Sequence, residues 1–206
     1  QLEPDNAGMH HNLAGALDDS GKPDEAIAAY RTAIQLQPDL SSTYLKLSSI
    51  LGKQGRWKET IDGLKKAAAL DSTDSQTWFL LSQAHQKMED LEDAQRAIRK
   101  ALVEDSTRSA YWVEYLNVGS LYHTRRQFDT ALEIYQDVVE AIPAHSGVHI
   151  NLGILHYDVG RYTASALSFE RAVALSPESV EAHLGLAQAY EKLDRIEDAI
   201  EAYRRV

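Results

Sequence analysis

The sequence predicts an all-α solenoid of paired helices, on three observations. A pattern of small and large apolar residues recurs every 34 residues along nearly the whole chain. Within each period the apolar positions fall at helical spacing on two segments. Glycine and proline mark the joints: Gly21, Gly55 and Gly160 where a first helix ends, and Pro38, Pro143 and Pro177 after a second. One helix pair cannot bury its apolar face alone, whereas stacked neighbours build a continuous core.

In chain order, residues 1–6 (Q-L-E-P-D-N) match residues 35–40 (Q-L-Q-P-D-L) and read as the tail of a preceding unit. Repeats follow at 7–40, 41–74, 75–108, 112–145 and 146–179, with a partial sixth at 180–206, so that 1–206 reads as a single solenoid of about six repeats. Residues 109–111 are extra, expected to lengthen the next helix by about one turn or to loop out. Counting from each repeat's first residue, small side chains hold the eighth, twentieth and twenty-seventh positions, as at Gly153, Ala131 and Ala172. These let two helix backbones approach. Large ones hold the fourth, eleventh, seventeenth and twenty-fourth, as at Tyr115, Tyr122, Phe128 and Tyr135, and fill the space around them. With no recognisable polar cap, the unfinished last helix is expected to expose apolar side chains.

Charge narrows the partners. Thirty-one acidic against 21 basic side chains give a net charge of -10, which phosphate backbones and anionic lipid repel. The basic pairs Lys65-Lys66, Arg99-Lys100 and Arg204-Arg205 form no stripe, so no nucleic-acid partner is expected. No apolar run approaches the ~20 residues of a membrane span, so no membrane insertion is expected. The absence of cysteine excludes disulfides and thiolate metal sites and leaves the compartment open.

Catalytic motifs are lacking as well. There is no glycine-rich phosphate loop, no G-x-S-x-G and no H-E-x-x-H. Of eight histidines, His10, His149 and His183 hold the fourth position and His85 and His156 the eleventh. The repeat therefore explains five of them as packing residues. His145 and His149 share a helix face, but a pair of imidazoles is too few for zinc. No enzyme activity, cofactor or metal is expected.

The run Trp78-x2-Leu81-Ser82, with Ala94, Ile98 and Ala101, resembles the tetratricopeptide repeat, and the other units follow the same pattern. The resemblance implies a right-handed superhelix of antiparallel helix pairs, an α-solenoid whose first helices line a concave groove for partners. It also implies that positions 2, 5, 6, 9, 12 and 13 face that groove. Position 5 supplies His11, Leu45, Phe79, Leu116, Ile150 and Leu184, an apolar stripe that serves either a bound peptide or helix or the sideways packing of the stack. Position 6 supplies Asn12, Asn117 and Asn151, which either hydrogen-bond the main chain of an extended peptide or are solvated or bonded to neighbouring helices. The run His149–Gly153 looks like the repeats of O-linked N-acetylglucosamine transferases, although only three of the six units carry the asparagine. Lys46, Lys53 and Lys87 fall in the second and third units with no groove-facing acid beside them, which either suits an acidic segment of a ligand or marks a solvated face. The carboxylate clamp of chaperone-binding members is not matched in any register.

The expected function is therefore a protein-interaction module that holds a peptide or helix of a partner protein. Two alternatives stay open. One is the substrate-recognition region of a larger enzyme such as a glycosyltransferase. The other is a self-assembling scaffold, a homo-oligomer joined through the groove or the exposed ends.

Overall fold

The computed structural model describes residues 6–206, so residues 1–5 of the expected opening tail lie outside the described residues. Among the described residues there are twelve α-helices and no strand. They are α1 (Ala7–Asp19), α2 (Pro23–Leu36), α3 (Ser41–Lys53), α4 (Trp57–Leu70), α5 (Ser75–Lys87) and α6 (Leu91–Glu104). Then come α7 (Ser109–Thr124), α8 (Phe128–Ala141), α9 (Ser146–Asp158), α10 (Tyr162–Leu175), α11 (Val180–Lys192) and α12 (Ile196–Tyr203). The chain divides into two compact units, 1–114 and 115–206, with the division inside α7.

In the first unit α1 packs on α2, α3 on α4 and α5 on α6, and α3 touches both α1 and α5. Tyr30, Ile50 and Leu51 centre one core cluster; Leu64, Leu81 and Ala84 centre the next. In the second unit α9 packs on α10, α10 on α11 and α11 on α12, around Phe169, Leu186 and Ala187. Small residues do bring the backbones together. A Cβ on Gly119 would fall 2.8 Å from Ile134 and Tyr135, and one on Gly153 would fall 2.8 Å from the Phe169 ring.

Every first helix ends in the same way. The residue at position 15 adopts a left-handed backbone in all six units: Gly21, Gly55 and Gly160 at φ 74–75°, and Glu89, Arg126 and Asp194 at 60–61°. That turn lets the N–H of position 16 donate to the carbonyl of position 11, as from Lys22 to Leu17 and from Arg195 to Tyr190. Only glycine accepts this conformation without steric cost. Asp194→Gly is expected to stabilise the chain by about 1 kcal/mol and Gly160→Ala to destabilise it by about as much. A Cβ at Gly160 would meet nothing within 4 Å, so the loss reports the backbone alone. Urea midpoints of the two variants check both signs.

Where no proline stops the second helix, an aspartate does the work. Asp71 accepts from the Thr73 N–H (3.0 Å) and hydroxyl (2.7 Å), and Asp105 likewise from Thr107 (3.1 and 2.6 Å). These bonds hold both carboxyls below the ordinary carboxylate range. Position 4 then ties the following helix back to that turn. The Trp78 indole donates to Ser72 O (2.8 Å), and His149 and His183 reach Pro143 O and Pro177 O (2.9 and 2.8 Å).

This tie locates the extra residues. The Trp112 indole donates to Ser106 O (2.9 Å), as Trp78 does 34 residues earlier. Helix α7 thus starts in step with α5, and Tyr122 at its other end makes the position-11 bond of the fourth repeat. The sequence reading places the three extra residues at 109–111. The structure takes them up within a 16-residue α7, against 13 residues for α5 and α9.

Candidate functional site

Each unit carries a recess on its first helices, and both are lined by the same repeat positions. In the first unit a cavity of about 270 Å³ opens between α3 and α5 over α4. Ser49, Gly52 and Lys53 of α3 hold positions 9, 12 and 13; Leu80 and Gln83 of α5 hold 6 and 9. Trp57 and Leu64 of α4 form an apolar floor. The space exists because Ser49 and Gly52 are too short to fill it. A Cβ on Gly52 would stand 3.5 Å from the Trp57 ring, an ordinary contact. The Ser48 hydroxyl, buried in the wall, has no hydrogen-bond partner.

In the second unit a cavity of about 470 Å³ lies between α7 and α9 over the start of α8. Ser120, His123 and Thr124 hold positions 9, 12 and 13 of α7; Asn151, Ile154 and Asp158 hold 6, 9 and 13 of α9. Several of its polar side chains are hydrogen-bonded to one another. The Asn151 amide donates to Ser120 Oγ (2.9 Å), which also receives the Tyr135 hydroxyl (3.4 Å) and donates to Leu116 O (3.1 Å). His123 Nε2 stands 2.9 Å from Asp158 Oδ2. Burial pushes the Tyr135 phenol up, against the opposing pull of its bond to Ser120, so it serves there as a neutral donor. Arg126 and Phe128 close the rim.

The position-5 residues behave differently from one another. Leu116 and Ile150 are only 5% and 8% exposed, and Ile150 belongs to the core around Phe169. Leu45 packs on the Leu64 cluster, and the Phe79 ring lies 5.0 Å from the ring of Tyr111. Leu184 is exposed. At position 6, Asn151 sits in the second recess and Asn117 is exposed. Lys53 stands at the rim of the first recess, 3.2 Å from Asp18. Lys46 and Lys87 are exposed, with no ion-pair partner among the described residues. Ser49, Gly52, Gln83, Ser120 and Ile154, which line the recesses, were not singled out from sequence. The signal for three of them was a short side chain, at Ser49 and Ser120 in position 9 and at Gly52 in position 12. Among the described residues no helix is long and apolar enough to cross a membrane.

Comparison with known proteins agrees with this architecture. Tetratricopeptide-repeat family models match residues 7–40, 75–104, 115–145 and 150–206, well over half of the chain. No curated protein matches the sequence. Among solved structures, YrrB, described as a TPR protein with an unusual peptide-binding site, superposes with a TM-score of 0.71 at 18% identity, over 87% of this chain and 91% of its own. A MamA fragment from Desulfovibrio magneticus RS-1 gives 0.65 at 21% identity, over 80% and 92%. Pseudomonas aeruginosa PilF gives 0.65 at 14% identity, over 95% and 88%. At such identities the likeness concerns the fold. With the family models, the 34-residue period and the repeated turn geometry in agreement, the chain belongs to the tetratricopeptide-repeat family.

Proposed function

We propose that the chain is a non-catalytic protein-interaction module that binds a peptide segment or helix of a partner protein on its first helices. The observation that supports this most is the coincidence of the recesses. Positions 6, 9, 12 and 13 border open space in both units, while the neighbouring core positions are filled. The two recesses differ in chemistry. The first, with Trp57, Leu64 and Leu80 beneath a lysine rim, suits an apolar side chain flanked by acidic groups. The second, with Asn151, Ser120 and the His123–Asp158 pair, suits the main chain and polar side chains of an extended segment. YrrB, described as a peptide-binding TPR protein, supports the same class of ligand.

The ten residues nominated from sequence enter this reading with unequal parts. Lys46, Lys53, Lys87, Asn117, Asn151 and Leu184 supply contacts. Leu45, Phe79, Leu116 and Ile150 chiefly shape the surface beneath. Selection of peptides from a random display library tests the proposal. Selected sequences are expected to share an apolar residue beside acidic ones. Ser49→Trp, which plugs the first recess, is expected to weaken their binding at least ~10-fold without lowering the melting temperature. Binding that survives this change, and the further change Asn151→Ala, would refute the assignment.

A further inference from the structure

The joint between α5 and α6 sets the position-11 histidine of the third repeat, His85, beside two carboxylates that the recesses do not involve. His85 is 5% exposed, and its Nδ1 makes no hydrogen bond. That nitrogen lies 3.2 Å from Asp90 Oδ2 and 4.0 Å from Asp93 Oδ2, two carboxylates from the start of α6. One donor atom from each residue lies within 4.8 Å of the others. Atoms that share an ion at about 2.0–2.2 Å stand roughly 3–3.5 Å apart, so little movement separates this arrangement from a coordination site.

The surroundings fix the three groups. The Asp90 N–H donates to His85 O (3.0 Å), which clasps the turn between them. Asp90 Oδ1 caps α6 through the Asp93 N–H, leaving Oδ2 toward the imidazole. Asp93 Oδ1 is taken by Arg96, which leaves its own Oδ2 on the same side. Burial alone would raise the Asp93 carboxyl, yet the Arg96 guanidinium bonded to it holds it below the ordinary carboxylate range. The fifth repeat offers an internal contrast. His156 holds the same position and its Nδ1 is also buried without a partner, but Arg161 and Ala164 stand where Asp90 and Asp93 do. In the fifth repeat a cation would meet Arg161 and neither aspartate; in the third it would meet two aspartates, one of them shared with Arg96.

We propose that His85, Asp90 and Asp93 form a binding site for a first-row divalent transition-metal ion. One imidazole nitrogen and two carboxylate oxygens are the donor set of a borderline ion such as Zn²⁺, with a remaining position for water or a donor from a partner. The ion would clasp the end of α5 to the start of α6. It would oppose the fraying of a joint whose middle residue, Glu89, has an unfavourable backbone for a residue with a side chain.

Calorimetric titration of the chelator-stripped full chain with zinc chloride tests this, with Co²⁺ absorption as a second readout. The controls are the double variant Asp90→Asn/Asp93→Asn and, separately, His85→Gln. Asparagine keeps the helix cap, so the double variant is expected to fold. One ion per chain is expected in the wild type, with a rise in melting temperature on adding zinc. Both variants are expected to bind at least ~10-fold more weakly and to lose that rise. Equal titrations for the wild type and the double variant would place the ion on other histidines and overturn the proposal. So would the absence of binding to the wild type in excess zinc.

Discussion

Phe169→Ala is expected to destabilise the second unit by about 3–5 kcal/mol, the range for removing a buried aromatic ring. Phe169 is 2% exposed and belongs to the core cluster of that unit. Its ring spans the gap between two neighbouring first helices. A Cβ on Gly153 of α9 would meet it at 2.8 Å, and one on Gly185 of α11 at 2.3 Å. Both helices are therefore seated against one side chain of α10, and removing it leaves a void bordered by two glycines that have nothing to offer in return. Urea denaturation followed by circular dichroism reads the loss. A cost below about 1 kcal/mol would mean that α9 and α11 close over the gap.

Gly185→Ala tests the same contact from the other side. Glycine within a helix is disfavoured relative to alanine by about 1 kcal/mol, so propensity alone predicts a gain. The structure predicts a loss. The added methyl would meet the Phe169 ring at 2.3–2.7 Å, and overpacking of this kind costs about 1–3 kcal/mol. The two effects separate in a double-mutant cycle. In the Phe169→Ala background the clash is absent, so Gly185→Ala is expected to change sign and stabilise by about 1 kcal/mol. Additive behaviour of the two changes would show that they do not share a contact.

Gly185 also shows where the sequence was legible and where it was not. Its position, the sixth, reads from the family pattern as groove-facing, yet it serves the core because one large ring in α10 reaches it. Helix identity and pairing were readable because apolar spacing is repeated six times and because glycine marks some of the six turns at position 15. Three of those turns escaped notice because Glu89, Arg126 and Asp194 occupy a conformation that glycine usually marks. The extra residues were expected to lengthen a helix or to loop out, and they lengthen α7 to 16 residues against 13 for α5 and α9. Trp112 and Tyr115 are both large aromatics, and only the indole bond to Ser106 O shows which of them holds the helix start. The recesses were the least legible. They are spaces beside short side chains, Ser49 and Gly52 in the first unit and Ser120 in the second, and a sequence pattern weighted toward large residues passes over them.

The account rests on a partner lying across positions 6, 9, 12 and 13 of the first helices. The most direct measurement is an NMR titration of the isotope-labelled chain with a display-selected peptide. The backbone amides of Ser49, Gly52 and Gln83 in the first unit, and of Ser120, Asn151 and Ile154 in the second, are the ones to follow. The account predicts that the largest shifts cluster at these residues in at least one unit, while exposed positions of the second helices, such as Lys66 and Arg99, stay still. Shifts concentrated on the second helices, or on the exposed apolar residues Ile196 and Ile200 of α12, would contradict it.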